Sequence, residues 1–123
     1  MKMRNTRLIR INEEIKRELS QLIDQELKDP RIHTMISIIR VETTNDLKYS
    51  KVFVSIMGTE EEKNEALEGL KSAKGFLRKE LAKRLNLRNT PEILFQLDES
   101  IEYSIHMEQL INKINKKSGE DVE

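Results

Sequence analysis

Between Thr59 and Leu87 the chain carries one long amphipathic helical pattern interrupted at Ser72-Ala73-Lys74-Gly75, and that interruption limits the folds open to it. The pattern exceeds the ~25 residues beyond which a single globular helix becomes suspect, and a mid-helix glycine costs stability unless a bend is wanted. Its apolar stripe is Ala66, Leu67, Leu70 and Ala73 before the interruption, then Leu77, Leu81 and Leu85. At about 100° per residue, Lys74 of an unbroken helix would sit only ~40° from Leu70 and ~20° from Leu81, inside that stripe. The pattern therefore predicts two helices meeting at a kink made by Ala73 and Gly75, with a bend at Gly75 releasing the Lys74 ammonium to solvent.

The flanking segments supply a sheet and further helices. Leu8, Ile11, Ile15, Leu19, Leu22, Ile23 and Leu27 recur at helical spacing, and Asp29-Pro30 ends the run because the residue before proline avoids helical geometry. Met35 to Thr44 reads as a strand in which Ile36 and Ile38 hold one phase and Ile39 and Val41 the other, a change that predicts a bulge. After the Asn45-Asp46 turn, Val52, Val54 and Ile56 alternate, so the two strands should form a hairpin. Asn89-Thr90-Pro91 breaks the chain before a third strand with Ile93, Phe95 and Leu97. Asp98 or Ser100 can cap a last helix whose stripe is Tyr103, Met107, Leu110, Ile111 and Ile114. The order helix, strand, strand, bent helix pair, strand, helix implies one α+β domain over residues 1–115, a three-stranded sheet covered by helices, with a polar tail over residues 116–123.

Charge is neutral only on average. The 22 basic and 22 acidic side chains cancel, yet Lys71, Lys74, Arg78, Lys79, Lys83, Arg84 and Arg88 face the single acid Glu80 within eighteen positions. Just before them stand Glu60, Glu61, Glu62, Glu65 and Glu68, opposed by Lys63. Lys2, Arg4, Arg7 and Arg10 form a second basic cluster, while the chain from Glu92 onward carries eight acids and three lysines. Glutamates at a helix start complement the backbone dipole, and Thr59 with Glu62 has capping-box spacing, so the acidic run has a structural explanation. The basic run exceeds what capping requires, and such polarity orients a protein on a polyanion.

Several chemistries are disfavoured. Without cysteine there are no disulfides, thiolate metal sites or cysteine nucleophiles. His33 and His106 lack designated catalytic partners, and no phosphate-binding loop or dinucleotide fingerprint is present. Asp29 with Glu26, and Asp98 with Glu99, read as turn and helix-end residues rather than paired catalytic acids. Arg31 reads as neutralising a helix C-terminus, and Phe53, on the strand face opposite Val52 and Val54, as packing beneath a helix. Aromatics are only 4% of the chain, which leaves Tyr49 and Phe53 little case as a base-stacking set. No apolar run approaches a membrane span or signal peptide, so a cytoplasmic protein is expected.

Ala73-Lys74-Gly75 at the bend, Asp29-Pro30-Arg31 after the first helix and Phe95-Gln96-Leu97-Asp98-Glu99-Ser100-Ile101 before the last one together carry a resemblance over nearly the whole chain. In their order and spacing the chain resembles the ribosome-binding factor A family, which implies a type II KH-like fold. KH domains clamp a nucleic-acid backbone with a Gly-x-x-Gly loop. Here Gly58, Gly69, Gly75 and Gly119 include no such pair, and Ala73 and Gly75 match the Ala-x-Gly kink by which the family replaces it. The resemblance further implies binding to the free 30S small subunit and support for late 16S rRNA maturation, including its 5′-end region, notably in the cold.

The leading expectation is a non-enzymatic, monomeric RNA-binding assembly factor needing no cofactor or metal. Lys71, Lys74, Arg78, Lys79, Lys83, Arg84 and Arg88, with Arg4, Arg7 and Arg10, are its candidate phosphate contacts. The alternative is a protein-interaction module whose basic patch docks an acidic partner such as a ribosomal protein or an assembly GTPase. If the kink matters, Gly75→Ala should leave the fold intact and lower subunit binding, by straightening the helix pair and redirecting Lys74 toward the core.

Overall fold

The computed structural model describes residues 6–87, 89–99 and 107–114. They form α1 (Thr6–Glu26), β1 (Ile36–Thr43), β2 (Tyr49–Ile56), α2 (Glu60–Ser72), α3 (Lys74–Arg84) and β3 (Glu92–Leu97), and residues 107–114 are helical as well. This is the expected α+β, KH-like order. The sheet runs β1-β2-β3, with β1 antiparallel and β3 parallel to β2. A parallel pair needs a crossover, and α2 with α3 provides it.

The core follows from the apolar periodicities. Ile11, Ile15, Leu19, Leu22 and Ile23 of α1 are buried against the inner sheet face of Ile38, Val41, Val52, Val54, Ile56, Ile93 and Phe95. Ala66 and Leu70 of α2 and Leu77 and Leu81 of α3 complete it. Truncating a fully buried member such as Leu19 to alanine would cost about 2–5 kcal/mol. The bulge falls where the phase change places it: pairing shifts between Ile38 and Arg40, so Ile38 and Val41 both point inward.

At the far end of β1, Asn12 of α1 accepts a hydrogen bond from the Thr43 backbone N–H (3.0 Å), and the Thr43 and Ser50 hydroxyls pair at 2.7 Å. The hairpin turn extends past Asn45-Asp46 to Leu47, a non-glycine residue at φ 61 whose side chain is nevertheless buried. Asp46 Oδ1 holds the turn by accepting from the Lys48 N–H (3.0 Å) and the Thr44 hydroxyl (2.7 Å).

At the start of α2 the capping box is present, with Thr59 Oγ1 accepting from Glu62 N (3.1 Å) and Glu62 Oε1 from Thr59 N (2.8 Å). Gly58 before it sits at φ +134, and a Cβ there would lie 2.6 Å from Glu62 Oε1. Both its conformation and its neighbour require glycine.

Three expectations are corrected. Of the two residues expected to make the kink, Ala73 makes it and Gly75 does not: Ala73 (φ −89, ψ 0) ends α2 and starts α3, and its N–H is shared by the carbonyls of Gly69, Leu70 and Lys71. Tightened, shared bonding of this kind is how a helix end satisfies its last carbonyls. Gly75 lies in the first turn of α3, where a Cβ would meet nothing within 4 Å. Phe53 lies beneath Arg40, its cross-strand partner, whose guanidinium carbon is 3.8 Å from the ring centroid. Arg40 is fixed there by Glu42 (3.0 Å) and Asp98 (2.7 Å), so the ring is covered by a cation rather than by a helix among the described residues. Finally, Met107, Leu110, Ile111 and Ile114 of the last helix are all exposed. Tyr103, Ser100 and the tail expected over 116–123 lie outside the described residues.

Candidate nucleic-acid interface

The cations expected from the sequence fall into two structural classes. Lys71, in the last turn of α2, and Lys74 and Lys79 of α3 are exposed, and among the described residues their ammonium groups make no ion pair or side-chain hydrogen bond. Arg78, Lys83 and Arg84 are engaged. Arg78 Nε and Nη2 donate to the Thr90 carbonyl at 3.0 and 2.9 Å, tying α3 to the loop before β3. Lys83 pairs with Glu80 one turn back at 3.2 Å. Arg84 reaches α1, where Nη1 donates to Glu18 (3.2 Å) and Nη2 to Glu26 (2.8 Å). Arg4 and Arg88 lie outside the described residues.

These positions do not form a single stripe. At about 100° per residue, Lys74 and Arg78 share one flank of α3, Lys79 and Lys83 its outward side, and Arg84 the flank against α1. The apolar Leu77 and Leu81 take the remaining, buried side. Lys74 is exposed, as expected, and the solvent-facing side of α3 carries Lys74, Arg78, Lys79 and Lys83 together with Phe76 and Glu80.

Arg84 also brings the two basic clusters together. Between α1 and the end of α3 lies a concavity of about 470 Å³ lined by Arg7, Arg10, Arg17 and Arg84, with Glu14 and Glu18 among them. The first turn of α1 carries no acid, so Arg7 and Arg10 stand near the positive end of the helix dipole, with Glu14 the nearest acid of α1 in the same concavity. Arg17 was not among the sequence candidates. Its signal is the seven-residue step from Arg10, which returns within about 20° to the same helix face. Its guanidinium lies 3.6 Å from Glu18.

The acids are distributed among structural partners. Arg31 grips Asp29 with Nε to Oδ1 at 3.0 Å and Nη2 to Oδ2 at 2.6 Å, and its backbone N–H donates to Oδ1 at 2.9 Å. This corrects the reading of Arg31 as a partner of the helix C-terminus. The Arg31 side-chain hydrogen bonds first, then its backbone N–H, hold the Asp29 carboxyl at about 2 and push the guanidinium further up. Glu26 serves Arg84, Asp98 serves Arg40, and Glu99 lies 3.6 Å from Lys63. The capping bonds from Thr59, its backbone N–H foremost, lower Glu62. Neither imagined acid pair forms a unit.

Lys63 is the basic residue whose placement was least visible in sequence. Although it sits among five glutamates, it is only 5% exposed, 3.8 Å from Glu60 and 3.6 Å from Glu99 beyond β3. His33 is exposed, and among the described residues no three histidine, aspartate or glutamate side chains come together as a metal site. No helix among them is long and apolar enough to cross a membrane.

Comparison with known proteins accounts for this architecture. The sequence profile of the family described as Ribosome-binding factor A matches residues 7–111. A ribosome-binding factor A from Caldanaerobacter subterraneus is 52% identical over 91% of this chain and 92% of its own length. That of Clostridium novyi is 51% identical over 97% and 98%. Among solved structures, a Thermotoga maritima protein assigned as a ribosome binding factor A superposes with a TM-score of 0.68 at 39% identity, covering 82% of this chain and 96% of that one. A homology model of the Thermus thermophilus ribosome binding factor A, as fitted into a cryo-electron microscopy map of its 30S complex, gives a TM-score of 0.60 at 28% identity over 72% and 91%. Match length, identity and fold agree, and the chain belongs to the ribosome-binding factor A family.

Proposed function

We propose that this protein is a non-enzymatic, cytoplasmic assembly factor that binds the free 30S subunit as a monomer and supports late maturation of 16S rRNA. That role includes the 5′-end region of the RNA and weighs most during growth in the cold. The observation that carries the reading is a division of labour among charges. Lys71, Lys74 and Lys79 stand without a described counter-charge, while Glu18, Glu26, Asp29 and Asp98 are held by arginines. Arg7 and Arg10 form a second basic group with Arg17 at the seam between α1 and the end of α3. Such cations bind phosphate by charge and shape, independent of base sequence.

The fitted Thermus thermophilus relative is a precedent for the partner. The exposed Lys74 and Lys79 of α3 present charge to folded RNA, and the bare first turn of α3 at Gly75 admits a backbone closely. Cosedimentation with free small subunits, large subunits and assembled ribosomes tests the proposal, with retention on free small subunits expected. Binding to protein-free 16S rRNA separates an RNA contact from docking on an acidic ribosomal protein or assembly GTPase. Retention on subunits without any affinity for the bare RNA would favour the protein partner.

A further inference from the structure

At the end of the sheet where β2 and β3 begin, the hairpin turn and the loop after α3 border an open concavity of about 390 Å³ lined by Lys48, Tyr49, Arg78, Asn89, Thr90 and Glu92, with Leu47 at its side. We propose that this pocket receives one unpaired RNA nucleotide, its base on the Tyr49 ring and its phosphate between Lys48 and Arg78. The inference rests on the RNA-binding reading and adds to it a site for a base, where the lysine arc offers only phosphate contacts.

Four features converge there. The Arg78 guanidinium is oriented by a backbone atom, since Nε and Nη2 both donate to the Thr90 carbonyl. Its other edge, Nη1 and the second Nη2 hydrogen, has no partner among the described residues, and Glu92 in the same pocket forms no ion pair with it. A guanidinium fixed in plane with a free edge is suited to a phosphate.

Tyr49 is 44% exposed at the first residue of β2, where it also borders a largely apolar concavity with Leu94. Unlike Phe53, whose face is taken by Arg40, this ring is open. Lys48 is placed by a turn whose Leu47 holds the left-handed conformation at φ 61, which a branched side chain adopts only when its surroundings enforce it. The Asp46 carboxylate fixes the Lys48 N–H, and the ammonium makes no ion pair among the described residues.

Asn89 supplies an amide able to donate to and accept from a base edge. Arg78 also shares its helix flank with Lys74, so a strand seated in the pocket continues along α3 toward Ala73. Single-stranded RNA, whose bases can be splayed and stacked, is the form that meets these conditions.

The test is fluorescence anisotropy with a labelled oligoadenylate and a labelled RNA duplex. Wild-type protein, Tyr49→Phe, Tyr49→Leu and Lys74→Gln are compared, with folding checked by circular dichroism. Tyr49→Phe should bind the single strand as wild type does, and Tyr49→Leu about tenfold more weakly, the scale of one lost base stack. Duplex affinity should be the same in wild type, Tyr49→Phe and Tyr49→Leu. Backbone amides of Tyr49 and Thr90 should shift on titration with the oligoadenylate. Equal single-strand affinity of Tyr49→Leu and wild type, with Lys74→Gln weakened, would overturn the pocket and leave the phosphate arc standing. No affinity of the wild-type protein for either RNA would overturn both.

Discussion

Gly69 of α2 lies directly against Ile32: a Cβ built on the glycine would come 2.8 Å from Ile32 Cγ1, 3.1 Å from its Cδ1 and 3.4 Å from Asp29 Oδ2. The loop after α1 thus rests on a bare patch of helix. Gly69→Ala gains helix propensity of up to about 1 kcal/mol but must displace Ile32 or the loop backbone. Overpacking of this kind costs about 1–3 kcal/mol, so the substitution should be net destabilising. Urea unfolding should show a lower midpoint with an unchanged slope, and Gly69→Ala with Ile32→Val should recover part of the loss.

The same loop carries the Asp29–Arg31 pair, which sets a pH signature. Asp29 titrates at about 2 in the folded protein, against an ordinary 3.8. The folded state therefore holds the carboxylate more tightly than the unfolded chain, and the pair stabilises the fold above pH ~4. That contribution is lost as pH falls from ~4 through about 2, where both states become protonated. Arg31→Met should return Asp29 toward its ordinary value, seen directly by carboxyl-carbon NMR titration. The stability difference between wild type and variant should be present at neutral pH and vanish in that acid window.

Local pattern was enough to place most of the fold, because each element's signal lies within its own residues. Ile36 and Ile38 against Ile39 and Val41 announced the bulge, and Thr59 with Glu62 announced the cap. What stayed hidden depends on distant partners. The parallel placement of β3 on β2 depends on how the α2–α3 crossover returns the chain, which no strand sequence encodes. Arg84 looked like one more phosphate ligand because Glu18 and Glu26 stand 66 and 58 residues away. Lys63 showed only its neighbouring glutamates in the sequence, because Glu99 stands far along the chain beyond β3. The kink was read from Ala73 and Gly75 with the bend assigned to the glycine, whereas α2 ends and α3 starts at Ala73, between the buried Leu70 and Leu77.

That displacement changes what Gly75→Ala should do. Because Gly75 is helical and a Cβ there meets nothing, alanine should fit without straightening the pair, and Lys74 should stay exposed. Reduced unfolded-state entropy should raise stability by about 0.4–1 kcal/mol, or about 2–4 °C in melting temperature. Affinity for the small subunit should nevertheless fall, because a methyl group would now stand where a nucleic-acid backbone approaches the bare turn. A more stable variant with unchanged subunit binding would remove this turn from the contact.

Arg84 and Lys79 offer the sharpest separation of structural from binding cations, since they lie five residues apart on one helix. Arg84 joins α3 to two carboxylates of α1 through partly exposed charge-assisted bonds, so Arg84→Ala should cost about 1 kcal/mol of stability. Lys79 has no described partner, and Lys79→Ala should leave unfolding within about 0.5 kcal/mol of wild type. Binding should show the reverse order. With Lys71, Lys74, Lys79, Arg7 and Arg10 taken as five phosphate contacts, the log–log salt dependence of RNA binding should have a slope of about −3 to −5, at roughly 0.7–0.9 per contact. Lys79→Ala should make that slope shallower by nearly one contact's worth. Arg84→Ala should leave it unchanged, because its guanidinium is already neutralised by Glu18 and Glu26.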